Sequence, residues 1–413
     1  MKKPLVNVIG LGYIGLPTAM MMAAHGVNVV GTDFKKSLVD TLNSGRMTFQ
    51  EDGIDDLFRT AVDNGIKFST EYHKADIYII CVATPYNKDT KKVDPSFVVN
   101  AFRSVLDTCD KGSIVVVEST VSPGTMNKFV RPVIAEYGWQ DGVDVHLVHA
   151  PERIIPGNMV RELVDNSRTI GADDPAIGEQ IKQLYQSFCK GDIEVTDIRT
   201  AEMTKVVENT FRDIIIAFAN ELLKICRSDG LDVYEIIRIA NKHPRVNILS
   251  PGPGVGGHCI SVDPWFLVGD YPELALLIRQ ARHTNDSMPD YVLERVSAIL
   301  QSHDKRPSRV GFYGLTYKED VDDVRDSPSL QLVEKMHQRL AGTPKCYDPM
   351  IETEIVEGQY LDFEQFLADI DTLVIMVGHS HLKQVADKIR NKIILDTRKC
   401  GISWDPSNEV IPL

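Results

Sequence analysis

The glycine-rich turn near the N-terminus constrains the fold more than any other part of the chain. It has the sequence Gly10-Leu11-Gly12-Tyr13-Ile14-Gly15, follows the apolar run Val6–Ile9 and opens a helical pattern. The next apolar run, Val27–Thr32, is followed at once by Asp33. A buried strand, a glycine turn, a helix and a second strand that ends at a carboxylate are together typical of a dinucleotide-binding unit.

The residues of this turn also indicate which dinucleotide is bound. Its glycines allow a close approach of a pyrophosphate to the helix N-terminus, and Tyr13 and Ile14 lie between them. Asp33 is expected to accept a hydrogen bond from the ribose 2′-hydroxyl, and its charge disfavours a 2′-phosphate. The sequence therefore predicts NAD rather than NADP, and a βα turn without a ligand is the alternative.

Two polar turns follow later strand patterns. Thr84 comes after the apolar run Ile77–Val82, and Thr120 comes after Ile114–Glu118. Because ligands of open α/β sheets bind beyond the carboxyl ends of the strands, we expect both threonines to contact the nicotinamide half of the cofactor. Ordinary turn formation by Thr-Pro and Ser-Thr is the open alternative at both positions.

The order of the patterns indicates the fold class. Strand and helix patterns alternate as far as Val145–His149, which favours a parallel, doubly wound α/β sheet. The long helical pattern Thr200–Ser228 then begins a helical section, and after the polar segment Ser302–Ser308 the run Arg309–Tyr313 starts a second α/β unit. We therefore predict two Rossmann-like doubly wound domains joined by a central long-helix domain. The predicted boundaries are 1–198, 199–301 and 302–413.

Composition and charge argue against several classes of protein. A net charge of −13 disfavours a general nucleic-acid binder, which would carry a basic patch. The seven cysteines are scattered without a CxxC pair, which suggests reduced thiols and gives no metal-ligand spacing. The chain shows no signal-peptide pattern and no apolar run long enough to span a bilayer. We therefore expect a cytoplasmic protein without a metal, a nucleic-acid partner or a membrane segment.

A second glycine-rich segment, Gly252–Pro264, places the thiol of Cys259 behind four glycines and four residues before Asp263. Glycine lets a backbone approach a ligand closely, a thiolate is a strong nucleophile, and a nearby carboxylate can move protons. Beside a nicotinamide cofactor, this segment suggests that an aldehyde is captured on sulfur and oxidised again. His258 invites a Cys–His dyad interpretation, but a lone histidine in such a loop is more often structural.

Three further residues complete the candidate site. Lys205 and Asn209 are four residues apart on the predicted long helix, hence on one face, where an ammonium and an amide can stabilise an oxyanion. Glu152 follows the strand Val145–His149 and could act as a base or order a water molecule. A solvated helix face is the alternative for the Lys–Asn pair, and a surface ion pair is the alternative for Glu152.

These motifs together resemble the nucleotide-sugar 6-dehydrogenases, the UDP-glucose/UDP-mannuronate dehydrogenase family, over nearly the whole chain. The segments that carry the resemblance are the turn with Leu16-Pro17, Glu118-Ser119-Thr120, Pro151-Glu152-Arg153, Glu202–Asn209, the Cys259 loop with Asp263, and Lys318 with Asp323–Pro328. The segments most similar to the branch that acts on UDP-N-acetyl-D-mannosamine are Arg199–Met203, Asn209–Asp213, Ala240–Asn247 and Val262–Phe266.

The resemblance implies an N-terminal NAD domain, a central dimerisation domain and a C-terminal domain that binds the UDP part of a UDP-sugar. It implies a four-electron oxidation of the sugar C6 alcohol to a carboxylate with two NAD+ per turnover, through a thiohemiacetal and a thioester on Cys259. Asp263 and Glu152 are implied to handle protons and position water, and Thr120 to hold a water or the sugar end. A homodimer or higher homo-oligomer and a role in surface polysaccharide biosynthesis are also implied.

The same resemblance assigns several positions to ligands. Arg245 is similar to the family's arginine that reaches the substrate from a neighbouring subunit. Lys318 and Arg325 are implied to place positive charge near a nucleotide diphosphate, Arg325 on the cofactor side. The implied substrate contacts are Glu152, Arg153, Lys205, Asn209, Arg212, His243, Arg245, Gly254, Gly257 and Lys318.

The chain departs from the UDP-glucose branch beside the expected sugar position. Val262 replaces a lysine that usually precedes the aspartate, and Pro156 replaces an acidic residue. These changes fit an N-acetylated hexosamine better than glucose, and UDP-glucose, UDP-N-acetylglucosamine and UDP-N-acetylgalactosamine stay open as substrates. Two other functions also stay open: a two-electron dehydrogenase of the 6-phosphogluconate or 3-hydroxyacyl type, and a catalytically silent nucleotide-sugar sensor.

Overall fold

The strands of the described residues form two separate sheets, one in each of two compact units. The computed structural model describes residues 4–257, 259–340 and 343–413. The first unit contains the chain up to Glu208 together with Gly269–Tyr271, and the second contains Asn209–Val268 and Pro272–Leu413. The three predicted domain boundaries stay a prediction, because a division into compact units is not a division by function.

Strands and helices alternate along much of the chain. The strands are β1 (Leu5–Ile9), β2 (Asn28–Thr32), β3 (Lys67–Ser69), β4 (Ile77–Ile80), β5 (Ser113–Val117), β6 (Val145–His149), β7 (Arg168–Ala172), β8 (Ile193–Thr196), β9 (Val310–Tyr313), β10 (Lys345–Tyr347), β11 (Gln359–Tyr360), β12 (Thr372–Ile375), β13 (Ile393–Asp396) and β14 (Glu409–Pro412). The helices are α1 (Gly15–Ala24), α2 (Lys36–Asn43), α3 (Ile54–Asp63), α4 (Ser96–Thr108), α5 (Arg131–Glu136), α6 (Met159–Asp165), α7 (Pro175–Tyr185), α8 (Ile198–Ser228), α9 (Val233–Ala240), α10 (Asp263–Asp270), α11 (Leu276–Asp286), α12 (Met288–Ser302), α13 (Pro328–Leu340), α14 (Phe363–Ala368) and α15 (His381–Val385).

The first sheet has the strand order β3-β2-β1-β4-β5-β6-β7-β8. Its neighbours are parallel except for β6 and β7, which pair antiparallel through Val148 with Ala172. The predicted strands β1, β2, β4, β5 and β6 pair parallel as expected, and the antiparallel pair involves β7, which the sequence did not predict. Chain order switches between β1 and β4, and ligands of such sheets bind beyond the carboxyl ends of the strands at the switch point.

The central strands of this sheet are buried on both faces, which explains their unbroken apolar sequences. In β4, Ile77 and Ile79 belong to one apolar core, while Tyr78 and Ile80 belong to the core on the opposite face. The apolar runs that predict β1, β4, β5 and β6 come from such strands, buried on both faces. Strands β3, β7, β8, β11 and β14 give no such signal, because they are short, lie towards the sheet edges or contain charged residues.

The second sheet has the order β11-β10-β9-β12-β13-β14 and all its neighbours are parallel. The turn after its first strand repeats the turn after β1. Gly10 has a φ of 89° and donates to the carbonyl of Thr32 at 2.8 Å, while Gly314 has a φ of 92° and donates to the carbonyl of Tyr347 at 2.8 Å. Glycine adopts such positive φ angles at little cost, so both sheets begin with the same local geometry.

Helices of the second unit pack on both faces of its sheet, with α14 and α15 on the face opposite α8, α9 and α12. A single apolar core contains residues of α8, α9 and α12 together with residues of β9, β12 and β13. Helix α8 is 31 residues long and begins at Ile198, two residues before the predicted start. Asp232 fixes the start of α9, because its side chain accepts hydrogen bonds from the backbone N–H groups of Tyr234 and Glu235.

Candidate active site

The glycine turn of the first unit leaves open space at the N-terminus of α1. A Cβ atom on Gly10 would lie 2.7 Å from the carbonyl oxygen of Cys81, and one on Gly15 would lie 1.9 Å from the carbonyl oxygen of Gly10. A Cβ atom on Gly12 would meet nothing within 4 Å. Gly10 and Gly15 are therefore required for close packing of the turn, while the open side at Gly12 fits the approach of a pyrophosphate.

Asp33 is held in a fixed orientation at the end of β2. Its carboxylate accepts backbone N–H groups from Leu11 at 2.8 Å and from Lys35 at 2.9 Å. An ionised carboxylate has about four acceptor positions, so two bonds to the backbone leave capacity for ribose hydroxyls. Tyr13 packs beside this turn, with its ring 4.6 Å from the ring of Phe49. The geometry at the turn therefore fits the predicted NAD contacts.

The two predicted nicotinamide contacts follow neighbouring strands, β4 and β5. Thr84 is buried, and Thr120 is partly buried. Ser119 joins the two strand ends, because its hydroxyl donates to the carbonyl of Val82 at 2.7 Å. The roles of Thr84 and Thr120 toward a cofactor stay a prediction.

A buried cluster of charged and polar side chains, not expected from the sequence, lies at the carboxyl ends of these strands. The carboxylate of Glu118 accepts hydrogen bonds from the hydroxyl of Tyr185 at 2.9 Å and from the thiol of Cys81 at 3.0 Å. The guanidinium of Arg168 lies 3.5 Å from Glu118, forms an ion pair with Glu152, and stacks over the Tyr185 ring at 4.5 Å. A single arginine therefore faces two buried carboxylates.

This arrangement assigns different properties to the two carboxylates. Glu152 also accepts the backbone N–H groups of Arg153 at 2.6 Å and Ile154 at 3.1 Å, which fix the orientation of its carboxylate. Burial raises the pKa of Glu118 to about 6, although the charge of Arg168 opposes this shift. Burial also raises the pKa of the Cys81 thiol well above its ordinary value. No local sequence pattern reveals this cluster, because its members come from segments far apart in the chain.

The structure also locates two other predicted residues of the first unit. The guanidinium of Arg153 binds the carboxylate of Glu208 at 2.6 Å, the carbonyl of Ser167 at 3.1 Å and the hydroxyl of Thr169 at 2.8 Å. These contacts direct Arg153 toward its own unit, and its predicted role in substrate binding stays a prediction. Lys205 is buried on α8.

In the second unit, the structure brings Asn209 and Asp263 together. The side-chain amide of Asn209, on α8, donates to the carboxylate of Asp263 at 2.6 Å, and both side chains are buried. The carbonyl of Cys259 accepts the N–H groups of Val262 at 3.0 Å and Asp263 at 2.8 Å, which begins α10. Cys259 itself is partly exposed. His258 lies outside the described residues, so the Cys–His dyad stays an untested interpretation.

The glycines of Gly252–Pro264, the thiol loop, leave room for neighbouring segments of the protein to pack closely. A Cβ atom on Gly254, whose φ is 138°, would lie 3.0 Å from Pro328, and one on Gly257, whose φ is 85°, would lie 2.8 Å from the Tyr317 ring. The N–H of Gly257 donates to the carbonyl of Arg325 at 2.9 Å. The sequence suggests close approach of a ligand as the reason for these glycines, whereas the described contacts are with the polypeptide itself.

The remaining predicted ligand contacts, Arg325 on the cofactor side and four on the substrate side, are more exposed. The guanidinium of Arg325 binds both carboxylate oxygens of Asp323, at distances from 2.6 to 3.0 Å, and Lys318 is partly buried in the same segment. Arg212, His243 and Arg245 are exposed. The structure therefore orients Arg325 through a neighbouring carboxylate and leaves the last three open to a partner or ligand.

Neither a metal centre nor a membrane span is found in the part of the chain that the structure describes. No group of three or more His, Cys, Asp and Glu side chains there is arranged to hold a metal ion. No helix there is long and apolar enough to cross a bilayer.

Comparison with protein families covers most of the chain. Residues 4–189 match the NAD binding domain of the UDP-glucose/GDP-mannose dehydrogenase family, residues 199–287 match its central domain, and residues 311–401 match its UDP binding domain.

Individual proteins are similar over the full length. An NDP-N-acetyl-D-galactosaminuronic acid dehydrogenase of Ralstonia nicotianae is 42% identical, with 95% of each chain covered. A UDP-N-acetyl-D-mannosamine dehydrogenase of Methanococcus vannielii is 40% identical, over 95% of this chain and 92% of that protein. The solved structure of the UDP-N-acetyl-mannosamine dehydrogenase of Staphylococcus aureus has a TM-score of 0.89 and 40% identity, over 99% of this chain and 98% of that one.

The buried Glu118 generates a pH-dependent prediction for stability. Between about pH 4.5 and pH 6 the folded protein holds the Glu118 proton and the unfolded chain does not, so this group makes the protein less stable as pH rises through that window. We expect wild type to lose about 2 kcal/mol of unfolding free energy there relative to Glu118→Gln. Urea unfolding at several pH values measures the difference. The exposed Glu194→Gln serves as control, and parallel curves for wild type and Glu118→Gln would contradict the prediction.

Proposed function

The chain belongs to the UDP-glucose/GDP-mannose dehydrogenase family, and from this membership we propose that it oxidises UDP-N-acetyl-D-mannosamine at C6 to UDP-N-acetyl-D-mannosaminuronate. The coarser activity, NAD-dependent nucleotide-sugar dehydrogenation, follows from the family and from its relatives. The observation that carries the proposed chemistry is the buried Asn209–Asp263 hydrogen bond at the start of the helix that follows Cys259. The domain boundaries 1–198, 199–301 and 302–413 for NAD, dimerisation and UDP are part of the proposal.

The first unit provides the cofactor contacts in this proposal. Gly12 offers the open approach for the pyrophosphate, and Asp33 offers carboxylate oxygens to a ribose. NAD+, when bound, accepts a hydride, and a four-electron oxidation therefore uses two molecules per turnover. The cofactor side also includes Thr84, Thr120 and Arg325.

Cys259 is the proposed nucleophile. The first oxidation removes a hydride and a proton from the C6 alcohol and yields an aldehyde. The sulfur of Cys259 adds to that carbon, and loss of a second hydride and proton converts the thiohemiacetal into a thioester. Water then hydrolyses the thioester, which releases the carboxylate and restores the thiol. The partial exposure of Cys259 suits a residue that must meet a substrate carbon.

The groups on α8 are proposed to stabilise the oxyanions of these steps. The amide nitrogen of Asn209 carries two N–H groups, and one of them is directed to Asp263 at 2.6 Å. Asp263 thereby fixes the amide so that the second N–H can donate to a developing alkoxide. Lys205 supplies positive charge, while Asp263 and Glu152 handle protons and position water.

The relatives and the sequence departures support an N-acetylated hexosamine as substrate. One relative described above is named for an N-acetylhexosamine and the other for an N-acetylhexosaminuronic acid. Val262, beside the proposed proton-handling Asp263, is apolar where the UDP-glucose branch usually carries lysine. Lys318 is proposed to bind the nucleotide part of the substrate. Supply of the uronate for surface polysaccharide synthesis, in the cytoplasm, belongs to the same proposal.

A substrate panel tests this choice. We expect kcat/KM with UDP-N-acetyl-D-mannosamine, followed by NADH absorbance, to exceed that with UDP-glucose by about 100-fold, because a site that binds the acetamido group loses those contacts with glucose. UDP-N-acetylglucosamine, which differs only in configuration at C2, is the matched control. Activity on UDP-glucose without activity on UDP-N-acetyl-D-mannosamine would overturn the substrate assignment.

An apolar stripe on α8 supports the proposed homodimer. Phe211, Phe218 and Ile225 are spaced seven residues apart, hence on one helix face, and are 63%, 52% and 53% exposed. We expect light scattering to give at least twice the chain mass of 46.2 kDa for wild type, and a smaller assembly for Phe218→Glu. Leu361→Glu, which alters an exposed leucine of the second α/β sheet region, should leave the mass unchanged. A monomeric wild type would exclude the dimer.

A further inference from the structure

Helix α8 holds the thiol loop at both of its ends. At the C-terminal end of the loop, Asn209 donates to Asp263 at 2.6 Å, four residues beyond Cys259. At the N-terminal end, the backbone N–H of Gly252 donates to the side-chain oxygen of Asn220 at 2.9 Å. Because both asparagines belong to one continuous helix, the two ends of the loop are fixed with respect to the same rigid element.

Asn220 is itself oriented by a chain of hydrogen bonds. Its amide nitrogen donates to the side-chain oxygen of Asn285, on α11, at 2.9 Å. The amide nitrogen of Asn285 in turn donates to the carboxylate of Asp213 at 2.7 Å and to its carbonyl at 2.9 Å. Both asparagines are fully buried. Every donor points toward Asp213, so neither amide can reverse without placing two donors or two acceptors against each other.

The last acceptor of these hydrogen bonds, Asp213, forms an ion pair. The guanidinium of Arg282 lies 2.5 Å from the carboxylate of Asp213, and Arg282 also pairs with Asp286. Asp213 and Arg282 are among the most buried charged residues of the described chain, at 0% and 1% exposure. Burial raises the pKa of Asp213 to about 6, and Arg282 opposes that shift. At neutral pH the carboxylate is therefore ionised and serves as the terminal acceptor.

Stability alone does not explain such a network. Removing two charges and two amides from water costs several kcal/mol, and apolar side chains of similar volume often stabilise a protein equally well or better. A hydrogen-bond network does fix the orientation of its donors and acceptors, which apolar packing cannot. In this protein the network orients the side-chain oxygen that binds one backbone N–H group, that of Gly252, seven residues before the thiol.

We infer that Asn220, Asn285, Asp213 and Arg282 form a positioning network that fixes the loop of Cys259. The inference rests on the proposed role of Cys259 as nucleophile. None of the four residues is assigned a contact with the substrate, so they act through the loop. A displacement of about 1 Å at a reacting group can lower a rate by about 100-fold, which makes the network's effect measurable as kcat.

Two variants and one control test the network. Asn220→Leu removes the acceptor of the Gly252 N–H at nearly constant volume, and Asn285→Ser disturbs the chain without touching the loop. Ser287→Ala is the matched control, because the Ser287 hydroxyl accepts from Lys224 of α8 at 2.9 Å but leads to no loop residue. The readouts are amide hydrogen exchange of the segment around Gly252, kcat, and KM for NAD+.

For Asn220→Leu we expect about tenfold faster exchange at Gly252, with a tenfold change corresponding to about 1.4 kcal/mol of lost protection. We expect kcat to fall by about 10- to 100-fold while KM for NAD+ stays within about twofold. Asn285→Ser should change the same quantities in the same direction but less, and it decides the question if Asn220→Leu does not fold. Ser287→Ala should change neither the exchange nor kcat.

Either of two results would overturn the network. One is that Asn220→Leu and Asn285→Ser show the same amide exchange rates and the same kcat as the control Ser287→Ala. The other is faster exchange of the strands of both sheets to the same extent as the loop, which would indicate general destabilisation. Cys259→Ser separates this inference from the proposed function: continued acid formation by that variant refutes the nucleophile, whereas the exchange data still decide whether the network fixes the loop.

Discussion

The buried polar face of helix α8 is the constraint on which the thiol loop depends. An isolated helix of 31 residues gains little from propensity alone and takes most of its stability from packing. One face of α8 packs apolar residues such as Leu223 into the core of the second unit. The polar residues Asn209 and Asn220 instead bind the two ends of the loop. The same helix exposes the apolar stripe proposed for dimerisation, so one element links core, site and interface.

Each unit buries charge beside the residues proposed to act. In the first, Arg168 faces Glu118 and Glu152, and in the second, Arg282 faces Asp213 and Asp286. Burial raises the pKa of both Glu118 and Asp213 to about 6, although an arginine opposes each shift. Such pairs contribute little to stability by themselves, but they fix the orientation of neighbouring donors and acceptors. In the first unit the charged cluster includes the proposed Glu152, and in the second it is connected through Asn285 and Asn220 to Gly252 of the loop.

The sequence predicted the parts of the fold that local pattern determines. The apolar runs of β4 and β6 and the glycine turn after β1 have the predicted positions, because burial on both faces and positive φ leave clear signals. The direction of β7 and the pairing of Arg168 with Glu118 depend on segments distant in the chain, which no local pattern records. Family and fold are confirmed by the comparisons, while the roles of the individual site residues stay predictions.

Retention of the aldehyde on Cys259 would allow a single sugar to be oxidised twice before release. The ratio of NADH formed to UDP-N-acetyl-D-mannosamine consumed tests this role, with NADH followed by absorbance and the product identified by mass spectrometry. We predict two NADH for each sugar, with the uronate as product and no released aldehyde. One NADH for each sugar, with an aldehyde or ketone as product, would contradict the proposed role of Cys259.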